Sequence, residues 1–182
     1  MRKQKRKGKI VLVVAVSLDG RITDGKKPGT EWTSREDQEF FRKELDRADA
    51  VVMGRKTFQA IKRPLTPRNR IVFSHQQVFA RSTECQNVFS GNPAQFLALL
   101  RRNKWGRVVV AGGTEVYDWF LEHELANELV LTIEPIILGS GRPFLAVGHA
   151  RRCGRLLSVK RLNKGGTLLL RYTVQPRSRF IV

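Results

Sequence analysis

The chain has 182 residues, with 34 Lys and Arg against 16 Asp and Glu, a formal charge of +18 at neutral pH. Hydrophobic residues make up 41% and aromatics 8%, which excludes a largely disordered chain, and the length suits one ordinary domain with a real core. No apolar run approaches the roughly 20 residues of a membrane span, and two well-separated cysteines, Cys85 and Cys153, argue against a disulfide framework and fit a reducing cytoplasm.

Residues 1–9 hold six of the basic residues and no acid. They read as a disordered, solubilising tail; attraction to nucleic acid or another polyanion is the less favoured reading. Ile10 to Val16 has the minimum length of a signal-peptide apolar region, but it is rich in β-branched residues and runs into polar Ser17-Leu18-Asp19-Gly20-Arg21. A buried first strand explains it better. A polar loop follows to about Thr33. Thr33 to about Arg47 reads as a helix, with Thr33 as cap and Glu36 completing a capping box. Ala50 to Met53 is a short strand, Gly54 to Ile61 a short helix ending before Pro64, and Ile71 to Ser74 a strand. Pro93 to Arg102 is helical with proline in its first turn. Arg107 to Ala111 is a strand, Gly112-Gly113 a turn, Thr114 to about Glu124 a helix, and Leu129 to Glu134 a strand. Leu156 to Leu162 and Thr167 to Val174, joined by Asn163-Lys164-Gly165-Gly166, form a hairpin. The expectation is one α/β domain over residues 10–175, mostly parallel with an antiparallel C-terminal hairpin, and an extension at 176–182.

Three places could carry chemistry. Asp37 shares a helix face with Phe40 and Phe41, and Leu45 and Ala48 continue the apolar stripe. A carboxylate on a buried face is expensive unless paired or used, and burial would raise its pKa; a bland first-turn acid at the helix N-terminus is the alternative. Val108-Val109-Val110-Ala111-Gly112-Gly113-Thr114 puts two glycines between a strand and a helix. There a ligand can approach the backbone and helix N–H groups can meet phosphate, or the segment is simply a tight turn. Met53-Gly54-Arg55-Lys56-Thr57-Phe58 repeats the strand-to-helix pattern with two cations suited to an anion. His75, His123 and His149 have no ligand spacing, so no metal site is expected. Ser17 and Ser74 lack a nucleophile-elbow context, and no nucleic-acid-binding motif accompanies the charge.

Taken in order, these segments resemble dihydrofolate reductase and its relative, the riboflavin-pathway pyrimidine reductase, from about Ile10 to Val174. Trp32 to Phe41 is similar to the tryptophan-to-acid-to-phenylalanine segment, with Asp37 where that family keeps its substrate-binding acid. Val51 to Phe58 is similar to the cofactor-binding segment, Arg68 matches the arginine that grips the glutamyl carboxylate, Ala111 to Tyr117 carries the glycine pair and tyrosine, and Thr132 matches the strand threonine beside the acid.

The resemblance implies a three-layer α/β/α fold and reduction of dihydrofolate to tetrahydrofolate, with NADPH as hydride donor. It implies that Asp37 and Thr132 act in catalysis, and that Phe41, Arg68, Val14 and Ala15 line the substrate. It implies a cofactor site at Ala15, Ile22, Gly54, Arg55, Lys56, Thr57, Ser74, His75, Ala111, Gly112, Gly113, Thr114, Glu115, Val116 and Tyr117, with the loop from Arg21 to Trp32 closing over it. Ser17 to Thr23 and Ile133 to Phe144 look more like the riboflavin-pathway enzyme, which reduces a ribosylamino-pyrimidine phosphate, although its Asp-Asp-Pro stretch is absent after Thr57. Glu115 stands where dihydrofolate reductases often carry a basic residue. A polyanion-binding protein on a reductase fold is the non-enzymatic alternative, supported by charge alone.

Overall fold

The structure, a computed structural model, describes residues 8–25, 29–61, 66–67, 69–74, 87–146 and 152–175. In chain order the elements are β1 (Lys9–Val16), α1 (Arg35–Asp46), β2 (Ala50–Gly54), α2 (Arg55–Ala60), β3 (Arg70–Phe73), β4 (Asn87–Phe89), α3 (Pro93–Arg102), β5 (Arg107–Val110), α4 (Thr114–Glu122), β6 (Glu128–Ile133), β7 (Gly154–Arg161) and β8 (Leu168–Val174). They build one eight-stranded sheet in the order β4-β3-β2-β5-β1-β6-β8-β7. The first six strands in that order are parallel, and β8 and β7 close the sheet antiparallel.

Strand alternation divides the core into two layers. Ile10, Leu12, Val14 and Val16 of β1 face Phe96 and Leu100 of α3 and Val116, Tyr117 and Phe120 of α4. Val11 and Val13 face the other way, toward Leu45, Phe40 and Phe41 of α1 and Phe58 of α2. Connections that step from β1 to β2 and on to β3 therefore cross one face, and those that return through β5 to β6 cross the other, as right-handed crossovers require. This is the three-layer α/β/α arrangement expected. The direction of winding reverses around β5 and β1, the place where sheets of this type bind ligands at their carboxyl ends.

The chain differs from its sequence reading in two local respects. Ser34, not Thr33, caps α1: its extended backbone lets the hydroxyl accept from the Asp37 N–H at 3.3 Å. The Thr33 hydroxyl donates to the Thr30 carbonyl at 2.9 Å, and Glu36 accepts from Asn163, so neither serves a capping box. The second difference is β4, an unpredicted edge strand of only three residues. The basic residues 1–7, Cys85, His149 and the extension 176–182 lie outside the described residues.

α1 is anchored to the sheet by charge as well as by apolar packing. Glu44 is fully buried (0% exposed) and meets Arg107 of β5, Arg171 of β8 and, at 3.5 Å, Arg47. Arg171 also lies over the Phe40 ring, 5.5 Å from its centroid. Among the described residues no helix is long and apolar enough to cross a membrane.

Candidate functional site

A cleft of about 1340 Å³ opens at the carboxyl ends of the parallel strands. Val14 and Ala15 come to it from β1, Gly54 from β2, Ser74 from the end of β3, and Ala111, Gly112 and Gly113 from the end of β5. Ile22 enters from the loop after β1, Asp37 and Phe41 from α1, Arg55, Lys56 and Thr57 from α2, and Thr114, Glu115, Val116 and Tyr117 from α4. Nearly all the residues expected from the sequence are thus gathered in one cavity. Thr132 stands behind Asp37 rather than on the cleft wall, and Arg68 and His75 lie outside the described residues.

At one end is the acid. Asp37 is 6% exposed, projecting from the first turn of a helix whose apolar side packs on the sheet. Burial raises its pKa above the ordinary carboxylate value. Hydrogen bonding from the Thr132 hydroxyl opposes that rise, and the negative charge of Glu134 adds to it. The Tyr117 hydroxyl, buried nearby, has its own pKa raised by burial and by the Asp37 charge, so it stays protonated.

The middle of the cleft is a junction of two chain crossings. The Gly54 N–H donates to the Gly112 carbonyl at 2.7 Å, and the Gly112–Gly113 peptide is cis. Gly112 has φ +107°, and a side chain there would meet the Tyr117 hydroxyl at 3.2 Å. α4 starts directly after this pair with no side-chain cap, leaving first-turn N–H groups available to an anion.

The wall opposite is a clasp between two loops. Asp19 accepts from the Ser17 hydroxyl at 2.6 Å and from the Leu138 and Gly139 N–H groups at 3.0 and 2.9 Å. These bonds, the serine's first, pull its pKa down to about 2. The Ile22 N–H donates to the Arg142 carbonyl, the Arg142 N–H to the Thr23 hydroxyl, and the Thr114 hydroxyl to the Pro143 carbonyl. Arg142 reaches across to Glu115 at 3.6 Å.

Sequence reasoning missed several lining residues. Arg42 and Arg142 bring cations, and Phe73, Phe89 and Trp119 give the cleft an aromatic end, with Phe73 5.0 Å from both other rings. Only the fold brings these distant residues together. Trp119 stands singly in the sequence, which carries no signal of a cleft. Among the described residues, no group of three or more His, Cys, Asp or Glu could hold a metal ion.

A family model described as the RibD C-terminal domain matches residues 8–167. The chain belongs to that family. Among relatives of this RibD C-terminal domain protein, the uncharacterised protein YwjB of Bacillus subtilis is 32% identical over 146 residues, 74% of this chain and 81% of YwjB. Dihydrofolate reductase type A13 from Escherichia coli is 32% identical over 124 residues, 68% of this chain and 70% of that one. In fold, a pyrimidine reductase-like protein from Corynebacterium diphtheriae superposes with a TM-score of 0.76 at 16% identity, covering 94% of this chain and 93% of the other. Dihydrofolate reductase from Enterococcus faecalis, complexed with NADP(H) and RAB-propyl, does so at 0.69 and 21% identity, covering 93% and 98%. The chain is a member of the dihydrofolate reductase superfamily and an oxidoreductase by class.

Proposed function

We propose that this protein reduces 7,8-dihydrofolate to tetrahydrofolate with NADPH. The observation that carries the reading is Asp37, a carboxyl buried at the end of the cleft, backed by Thr132 and raised in pKa by its burial. A carboxylate so enclosed can pair with the 2-amino group and ring N–H of a pterin, and its raised pKa suits a group that favours protonation of the adjacent nitrogen near neutral pH. Reduction of the pterin C=N bond adds one hydride at carbon and one proton at nitrogen. Phe41, Val14 and Ala15 would face the ring system.

The cleft fits a nicotinamide dinucleotide. It is large enough for two ligands, it holds the uncapped start of α4 beside Gly112 and Gly113, and it has Arg55 and Lys56 with Thr57 and Ser74 at one side. NADPH, when bound, supplies the hydride. Gly113, Thr114 and Glu115 would meet the pyrophosphate, Arg55, Lys56 and Ser74 the adenosine phosphates, and Ile22 with Ala15 the nicotinamide end. Val116 and Tyr117 would support the glycine pair from below.

A second reading, reduction of a ribosylamino-pyrimidine phosphate as in riboflavin synthesis, is favoured by the family match over residues 8–167 and by the two cations Arg42 and Arg142 on the cleft, which suit a substrate phosphate. NADPH oxidation by the purified protein, with dihydrofolate and with the phosphorylated pyrimidine in parallel, decides between them. Dihydrofolate turnover that collapses in Asp37→Asn supports the first. NADPH binding with turnover of the pyrimidine alone replaces it with the second.

A further inference from the structure

Glu134 is a buried acid, 4% exposed, that the reaction described above does not use. It follows β6 directly, two residues beyond Thr132. It accepts from the Ser34 N–H at 2.8 Å and the Ser34 hydroxyl at 2.7 Å with one oxygen, and from the Thr167 hydroxyl at 2.7 Å with the other. Three donors and no acceptor is a set that an ionised carboxylate fits. Because the Ser34 hydroxyl gives its one proton to Glu134, its lone pairs are left for the Asp37 N–H. Glu134 thereby fixes the direction in which Ser34 caps α1.

The connection extends further. Thr167 also receives a hydrogen bond from Asn163 at 2.9 Å, and Asn163 donates to Glu36 in the first turn of α1 at 3.1 Å. The turn of the β7–β8 hairpin is joined in this way to the helical turn that carries Asp37. An amide oxygen at 134 could accept from Ser34 as a carboxylate does, so the acceptor role can be separated from the charge by substitution. Among the described residues, the groups acting on the Asp37 carboxyl are the hydroxyl of Thr132 on β6 and Glu134; Tyr117 of α4 is neutral and responds to Asp37 in turn.

We propose that Glu134 is a positioning residue for Asp37: through its hydrogen bonds to Ser34 it holds the helical turn that carries the carboxyl. The inference rests on the assignment of Asp37 as the acid of the reaction.

The test is NADPH-driven dihydrofolate reduction in wild type, Glu134→Gln, Glu134→Ala, Ser34→Ala and Asp37→Asn. Glu134→Gln keeps an acceptor for Ser34, so its kcat is expected to stay within about threefold of wild type. Glu134→Ala removes the acceptor, and kcat is expected to fall about tenfold with KM for NADPH retained. Ser34→Ala removes the cap, so kcat is expected to fall in the same way. A Glu134→Ala enzyme of wild-type thermal midpoint with unchanged kcat overturns the proposal. So does a Ser34→Ala enzyme with unchanged kcat, which keeps the idea refutable if Glu134→Ala folds poorly. An Asp37→Asn enzyme with wild-type turnover removes the assignment of Asp37 itself, and this inference with it.

Discussion

The Tyr117 hydroxyl donates to the Val13 carbonyl at 2.8 Å in a buried position beneath the glycine pair. Pairing of β1 with β5 ends at Leu12 opposite Val110, so the next β1 carbonyl on that side has no strand partner. Tyr117 supplies the missing donor and ties α4 to the strand that enters the cleft. Tyr117→Phe leaves a buried carbonyl unpaired, which is expected to cost about 1–3 kcal/mol in chemical denaturation. Gly112→Ala is expected to cost at least as much, since it combines a left-handed φ with a contact on the same hydroxyl. Equal stability of Tyr117→Phe and wild type would show that the bond contributes nothing.

Glu44 sets up the second prediction. Replacing it by Ala removes the partner of Arg107 and Arg171 beneath α1, with an expected loss of about 2–4 kcal/mol, moderated because both arginines reach solvent. Arg47→Ala, whose side chain is 68% exposed and 3.5 Å from the carboxylate, is expected to cost less than about 1 kcal/mol. Urea midpoints of the two variants check the contrast. A loss as large for Arg47 as for Glu44 would mean that the cluster acts as a surface network rather than as a buried anchor.

The buried strands and the long helices were legible because β-branched runs and helical periodicity are local properties. β1, α3 and the C-terminal hairpin stand within a residue or two of their predicted bounds. β4 was not legible, because three residues are too few to show alternation and the strand exists only through pairing with β3. Thr33 and Ser34 are both competent caps, and the one that caps is bonded to Glu134, a hundred residues away along the chain. The burial of Asp37 could be argued from its helix face, whereas its pairing with Thr132 came only from the family resemblance. Glu44 carries no local sequence signal of burial; the sheet brings Arg107 and Arg171 beneath it. Arg142 and Trp119 became part of the cleft only once separate loops and helices had been assembled around it.

Asp37 predicts opposite effects on activity and stability. Its folded pKa lies above the ordinary carboxylate value because the group is buried, so the folded state holds this proton more tightly than the unfolded chain. Stability contributed by Asp37 is greatest below about pH 4 and declines as pH rises through the unfolded and then the folded pKa. Above that range the buried carboxyl costs the fold stability relative to a neutral side chain. Asp37→Asn is therefore expected to melt no lower than wild type at neutral pH, while losing about a hundredfold or more in turnover. Thermal scans at neutral pH and at pH 4 test the sign: the variant's relative advantage should shrink on acidification. An advantage that grows toward acid pH would contradict the raised pKa.

Asp19 has the reverse linkage. Its folded pKa is lowered to about 2 by Ser17, Leu138 and Gly139, so its stabilising contribution is complete above the unfolded value near 4 and is lost as pH falls toward 2. The clasp that holds Ile22 and Arg142 at the cleft is accordingly intact through the whole neutral range. Asp19→Asn presents one amide N–H₂ where two backbone N–H groups require acceptors, so one of those bonds must break. The expected result is faster hydrogen exchange at the Leu138 and Gly139 amides and several-fold weaker NADPH binding, with the global thermal midpoint little changed, because the clasp lies at the surface and outside both core layers. Restoring acceptors with Asp19→Glu should recover part of the binding. If exchange at these amides quickens while NADPH affinity stays at the wild-type level, the clasp fixes the loop alone, and the cofactor does not depend on the wall that the loop forms.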